Sequence, residues 1–220
     1  EPLKQSTALL GSQEKIPYRE FSGYAFFNNA LVPRARASIV IKFTYRIDDM
    51  ESFVKALELS LISKNWYSVL FLCLTLPDIC GKVDYPDAGS KQRTINWFKK
   101  YIEPSYTITS CGSDRVFLSG ADFYALRCAL LHEGQDDIST QRAREVLEKF
   151  KFVQPLHQGI HIHNNMLNNT LQLQVDQFGK DVLNAVKEWL KDIENDIAKM
   201  SKTKSMLSIQ MLDLAKGFSI

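Results

Sequence analysis

Trp66-Tyr-Ser-Val-Leu-Phe-Leu-Cys-Leu-Thr-Leu76 carries no charge and is apolar on nearly every side when wound as a helix. A helix apolar all round belongs inside a bundle, so this run is read as the central helix, with the other helices packed around it. A break at Ser63-Lys-Asn65 precedes it. Pro77 falls inside it or at its end, and Gly81 is read as its stop.

Upstream, Asp48-Asp-Met-Glu51 offers an N-cap and an acidic first turn, and Phe53, Leu57 and Leu61 follow at spacing four. Downstream, Pro86 and Gly89 mark a loop. Ser90 then opens a helix with Ile95, Phe98 and Ile102 on one face, ended by Pro104. After an irregular connection, Phe117 to Glu133 is read as a fourth helix capped by Ser119. A short fifth is expected over Ser139 to Phe150, with Val146, Leu147 and Phe150 as its core contacts.

The period then changes. Gly159-Ile-His-Ile-His163 and Thr170-Leu-Gln-Leu-Gln-Val175 alternate, with an Asn-Asn pair between them, and are read as a β-hairpin. A long amphipathic helix is expected from about Asp176 to Met200, its stripe being Phe178, Val182, Ala185, Trp189, Ile193 and Ile197. The fold class expected is mainly α, an antiparallel helical bundle with a small β-hairpin and a long C-terminal helix. The division is 1–49 as an extension, 50–150 as the bundle, 151–200 as hairpin plus helix packed on it, and 201–220 as a tail. Within the first segment Ala37-Ser-Ile-Val-Ile-Lys-Phe-Thr-Tyr45 suits a strand. That segment is either a native strand and arm or an extension upstream of the natural start.

The 220 residues fit one medium domain, with or without a small appendage, and 45% hydrophobic content is ordinary for a chain that buries a core. A formal charge of +2 speaks against a strongly basic duplex binder but leaves local RNA contact open. Cys73, Cys80, Cys111 and Cys128 show no C-x-x-C spacing and are read as reduced thiols in a cytoplasmic protein. The charge-free runs Phe21 to Pro33 and Asn65 to Pro77 fall short of the roughly 20 residues of a membrane span, and no secretory signal is read at the amino terminus.

Ala125-Leu-Arg-Cys-Ala-Leu-Leu-His-Glu-Gly134 places Arg127 and His132 five positions apart on an apolar helix closed by a glycine. On an ideal helix five steps are about 500°, which leaves the two side chains roughly 140° apart around the axis and about 7.5 Å along it. They can act together only if the helix distorts near its end or two copies face each other across a dimer. Gly134 favours the first, because it puts His132 in the last turn, where free carbonyls favour a cationic imidazole. Histidine can take a proton in one step and return it in the next, and arginine presents a charged planar fork matched to phosphate. The structural alternative is that Arg127 pairs with a carboxylate such as Asp78 and His132 caps the helix.

The R-x4-H spacing resembles the signature of the HEPN superfamily. So do Asn65-Trp-Tyr67, Leu76-Pro-Asp-Ile-Cys-Gly81, Lys91-Gln-Arg-Thr-Ile-Asn-Trp-Phe98 and Phe123-Tyr-Ala-Leu-Arg-Cys-Ala-Leu-Leu-His132. The similarity covers residues 50 to about 150. It implies a HEPN-type bundle and a metal-independent endoribonuclease with Arg127 and His132 as the catalytic pair. It further implies an RNA substrate, a homodimer, an antitoxin or other protein partner, no cofactor, and a role as toxin or antiviral defence component. The alternative it leaves is a non-catalytic module that binds a nucleotide or a protein. The position after the arginine is frequently polar in active members and is Cys128 here, a thiol that only weakly orients phosphate or water.

Two further sets stand out. Asp78 and Arg93 are read as an ion pair locking adjacent helices, with Asp78 alternatively orienting Arg127. His157, His161 and His163 offer three imidazoles, but no nearby Cys, Asp or Glu completes a recognisable metal site, and no metal is assigned. Lys91, Arg93, Lys99 and Lys100 suit a solvated face or an RNA backbone. Trp66, Trp97 and Trp189 are spaced as helix core and are given no stacking role.

Overall fold

The computed structural model describes residues 49–110, 112–156, 161–207 and 209. Contacts divide the chain into Glu1–Thr44 and Tyr45–Ile220, and every described residue belongs to the second unit. The strand read at Ala37–Tyr45, the cap Asp48, and Cys111 and His157 lie outside the described residues.

Among the described residues the chain is mainly helical. Helix α1 (Asp49–Ile62) turns back through Lys64 at φ 56° into α2 (Trp66–Asp84). Asn65 caps α2 by accepting the Ser68 N–H at 3.2 Å. As its composition requires, α2 sits at the centre. Val69, Cys73, Leu74, Leu76 and Cys80 are fully buried, and α2 packs most extensively on α3 (Ser90–Tyr101) and α5 (Val175–Asp192). By length and composition α2 could also cross a membrane, and half of it is buried within the protein.

Gly81 does not stop α2. The helix runs on to Asp84, and a Cβ at Gly81 would stand 2.6 Å from the Arg93 carbonyl oxygen. The glycine is there because α3 passes too close for a side chain.

From α3, Trp97 packs edge-on against Trp189 of α5 at 6.4 Å, and Phe98 stacks on Phe123 of α4 (Gly120–Cys128) at 4.4 Å. The connection expected to be irregular holds a 3-10 turn (Glu103–Tyr106) and the antiparallel pair β1 (Thr107–Ser110) and β2 (Ser113–Val116). Ser119 caps α4 as expected, accepting the Asp122 N–H at 3.1 Å.

The fifth helix expected over Ser139–Phe150 does not form. Buried Asp122 accepts the Glu145 N–H at 2.7 Å, and Arg144 donates to the Ser139 carbonyl at 3.0 Å. Phe150 N–H bonds Asp136 O and Ile138 N–H bonds Glu148 O, both at 2.8 Å. Tertiary partners thus take the backbone groups a helix would have used. Leu147 and Phe150 are buried as read, but Val146 is 56% exposed.

The sheet also differs from the reading. Strand β5 (Thr170–Gln174) pairs antiparallel with β4 (Asn165–Leu167) and parallel with β3 (Lys149–Val153), in the order β3-β5-β4. His161 to His163 lie outside any strand. The β4–β5 turn is the Asn-Asn pair, Asn168 at φ 47° and Asn169 at φ 56°. Asparagine tolerates this left-handed region better than most residues, and a two-residue loop needs it twice.

The long C-terminal helix is broken. Helix α5 ends at Asp192, and Asp196 caps α6 (Ile197–Thr203) by accepting the Lys199 N–H at 3.0 Å. Phe178, Val182, Ala185, Trp189 and Ile193 are buried, but the break leaves Ile197 86% exposed. Lys199 then reaches Asp84 of α2 at 2.8 Å. Residues of α1 to α5, with Leu147, Phe150, Leu171 and Leu173, form one core.

Candidate functional site

Three helices converge on Asp78. The close pass at Gly81 brings the first turn of α3 onto α2, so Ser90, Arg93 and Thr94, which share one face of α3, all meet the same carboxylate. Oδ1 accepts Arg93 Nε at 2.6 Å, Ser90 Oγ at 3.0 Å and Thr94 Oγ1 at 3.1 Å. Oδ2 accepts Arg127 Nη2 from α4 at 3.0 Å and Arg93 Nη2 at 3.3 Å. Burial alone would raise the Asp78 carboxyl. The Arg93 hydrogen bonds, the Arg127 charge and the two hydroxyls outweigh it and hold the group below the ordinary carboxylate range.

Asp78 therefore pairs α2 with α3 through Arg93, and its pair with Arg127 is the one that the structural alternative for that arginine named. Two arginines on one carboxylate leave the cluster with a net positive charge. Among the described residues one of the five N–H donors of the Arg127 guanidinium, on Nη2, is hydrogen-bonded, and the buried Nε has no partner. The guanidinium lies 5.9 Å from the Tyr124 ring centroid.

Past Cys128, α4 changes its winding. Ala129–Glu133 is a π-turn, ended by Gly134 at φ 68°. Gly134 N–H bonds Leu130 O at 3.0 Å, and Gln135 N–H reaches Ala129 O at 3.2 Å, a glycine cap opened by one residue. Hydrogen bonds of the i→i+5 kind take more residues per turn than α winding. The 140° offset expected between Arg127 and His132 is reduced accordingly, because three of the five steps lie in the π-turn. The helix is thus distorted near its end. His132 is exposed and makes no hydrogen bond or ion pair among the described residues.

Cys128 is a free, half-buried thiol. Burial first, and then the Cys128 thiol, push the Tyr124 hydroxyl above its ordinary value, with Arg127 and Ser90 opposing. The structure thus brings Asp78, Arg93 and Arg127 into contact, sets Cys128 beside them through Tyr124, and leaves His132 facing solvent. Ser90, Thr94 and Tyr124 were not read from sequence as site residues. Hydroxyls at positions 90 and 94 flanking Arg93 were the available signal.

Of the three histidines His157 lies outside the described residues, and the other two sit in different surroundings. His163 turns inward, its Nδ1 accepting the Gln174 N–H at 3.3 Å and its Nε2 standing 3.3 Å from Asp181 Oδ2. Asp181 also accepts Tyr106 Oη at 2.9 Å and Gln177 Nε2 at 2.8 Å. His161 is exposed. Among the described residues no group of three His, Cys, Asp or Glu is placed to hold a metal ion.

Two clefts adjoin these elements. One, of about 420 Å³, is lined by Asp78, Lys82, Arg93 and Lys202 over Ile79 and Val83. The other, of about 630 Å³, lies between the start of α2, the π-turn and β3, with Trp66, Tyr67, Leu130, Lys151 and Phe152 in its wall. Trp66 is thus only partly a core residue, whereas Trp97 and Trp189 are fully buried.

No protein-family model, curated protein or solved structure matches this chain.

Proposed function

We propose that the chain is a metal-independent endoribonuclease of HEPN type, with Arg127 and His132 as its reacting groups. The observation that carries this reading is the π-turn at Ala129–Glu133, which follows an arginine fixed by Asp78 and carries a histidine that is exposed and unpartnered among the described residues. His132 takes the proton from a ribose 2′-hydroxyl, or returns one to the 5′-oxygen as it leaves. Arg127 meets the negative charge that grows on the non-bridging phosphate oxygens. The bond formed is O2′–P and the bond broken is P–O5′, so the products end in a 2′,3′-cyclic phosphate and a 5′-hydroxyl.

Asp78 and Arg93 position Arg127, and Cys128 stands where active members of that superfamily frequently carry a polar residue. A homodimer would bring two Arg/His pairs to one cleft. In a cell the activity would be that of a cytoplasmic toxin or antiviral defence component, restrained by an antitoxin or other protein partner. The second reading, a non-catalytic nucleotide- or protein-binding module, is favoured by one observation: the 3.0 Å ion pair already occupies part of Arg127.

The test is cleavage of single-stranded RNA with a chelator present. Wild type should yield cyclic-phosphate ends, while His132→Ala and Arg127→Ala should each lose at least about a hundredfold in rate. Equal rates for wild type and His132→Ala would remove the catalytic reading and leave the binding module.

A further inference from the structure

The cleft between α2, the π-turn and β3 combines aromatic rings with lysines. Its wall carries three aromatic rings, Trp66, Tyr67 and Phe152. Tyr67 is 78% exposed, an unusual place for a ring with no packing duty. Lys64 and Lys151 also line the cleft; both are exposed and make no side-chain hydrogen bond or ion pair among the described residues. The acid in the wall, Asp136, is offset by Lys149 at 3.6 Å. Aromatic faces beside unpaired lysines are the chemistry that holds a nucleotide of a single strand, the base stacking and the phosphate meeting the cations.

Leu130 of the π-turn is part of the cleft wall, and size suits the same occupant. A volume of about 630 Å³ falls within the range of small-ligand sites and admits one nucleotide. A peptide strand added to the edge of β3 fits less well. That edge is already taken in part, by Phe150 N–H on Asp136 O and Ile138 N–H on Glu148 O.

We infer that this cleft is a nucleotide subsite for single-stranded RNA, in which Tyr67 and Trp66 stack a base and Lys64 and Lys151 hold the flanking phosphate. The inference rests on the ribonuclease reading for its choice of RNA as the occupant, but binding can be measured without cleavage.

The experiment uses the full chain and a short 2′-O-methyl oligoribonucleotide, which binds but lacks the attacking hydroxyl, with AMP as a parallel probe. Trp97 and Trp189 are fully buried, so tryptophan quenching reports on Trp66. Wild type should bind the oligonucleotide with quenched fluorescence. Tyr67→Ala should bind about tenfold more weakly. Lys151→Ala should bind more weakly with a shallower salt dependence. Both positions are exposed, and circular dichroism matching wild type establishes that each variant is folded.

Absence of quenching, or equal affinity for wild type, Tyr67→Ala and Lys151→Ala, overturns the subsite. AMP binding as tightly as the oligonucleotide overturns the strand and assigns the cleft to a free nucleotide. An extended peptide that binds at Tyr67 while the oligonucleotide does not overturns it as well. Cleavage of unmodified RNA separates the two claims. Loss of binding in Tyr67→Ala, with His132→Ala cleaving as wild type, sinks the catalytic pair and keeps the subsite. Unchanged binding in Tyr67→Ala, with His132→Ala inactive, does the reverse.

Discussion

Arg127 of α4 donates Nη2 to Oδ2 of Asp78 on α2 at 3.0 Å, across 49 residues of sequence. The carboxylate it meets is buried and already bound by Arg93 at 2.6 Å, so Asp78 is the counter-charge of two half-buried cations. Removing it strands both. Asp78→Asn keeps the shape and two acceptor lone pairs but leaves Arg93 and Arg127 without a counter-charge. The expected loss is about 3 kcal/mol of unfolding free energy, read from urea denaturation midpoints at pH 7. A loss under about 1 kcal/mol, the range of surface pairs, would show that solvent screens the cluster.

The same carboxyl predicts a pH dependence. Its folded value lies below the unfolded value of about 3.9. The unfolded chain therefore binds the proton more readily, and the stabilisation is fully present above the unfolded value. It is lost as pH falls through the folded one. Wild-type stability should decline from about pH 4 downward, and the decline should be shallower in Asp78→Asn. Parallel acid curves for the two proteins would assign the slope to other carboxylates.

Gly81→Ala tests the close pass that assembles the cluster. The new Cβ would stand 2.6 Å from the Arg93 carbonyl oxygen and 3.0 Å from its carbon, and backbone cannot swing aside as a side chain can. Helices α2 and α3 must separate, at an expected cost of about 2 kcal/mol beyond any gain in helix propensity. Thermal melts check this. A melting temperature equal to or above wild type would mean that α3 yields freely.

Asp122→Ala removes the acceptor that holds residues 139–148 in turns. The side chain is 2% exposed and takes the Glu145 and Val146 N–H groups at 2.7 and 3.3 Å. Those donors would be left unpaired, at an expected cost of about 2–3 kcal/mol in total. Limited proteolysis should then cut first between Ser139 and Glu148, whereas a digest matching wild type would show the loop to be held by its other bonds.

These residues also explain what could be read in advance. The central helix was legible because its apolar content closes over every face, and the cap at Ser119 because its partner sits three residues on. The failed helix at 139–150 carries helical spacing, but Asp122, which decides the matter, is 23 residues from Glu145. The parallel pairing of β3 with β5 has no turn to announce it, unlike Asn168-Asn169 between β4 and β5. At the site, the charged partners Asp78, Arg93 and Arg127 were legible because a buried charge needs a counter-charge. The hydroxyls of Ser90, Thr94 and Tyr124 obey no such demand. The π-turn left one trace, Gly134, whose φ of 68° suits glycine and closes the widened cap.

Arg127→Lys separates a packing arginine from a catalytic one. A lysine keeps the positive charge opposite Asp78, so stability should fall by about 1 kcal/mol, and by about 2 kcal/mol in Arg127→Ala, where Arg93 still pairs the carboxylate but the stem and one charge-assisted hydrogen bond are lost. Catalysis asks for more than charge. A phosphorane-like transition state spreads its charge over oxygens that a planar fork can meet together and a single ammonium cannot. RNA cleavage by Arg127→Lys should therefore fall about a hundredfold although the protein remains folded. Denaturation and cleavage rates measured on one preparation give both numbers. Full activity in the lysine variant would reduce Arg127 to a structural counter-charge for Asp78, and the reacting cation would have to be sought elsewhere in the fold.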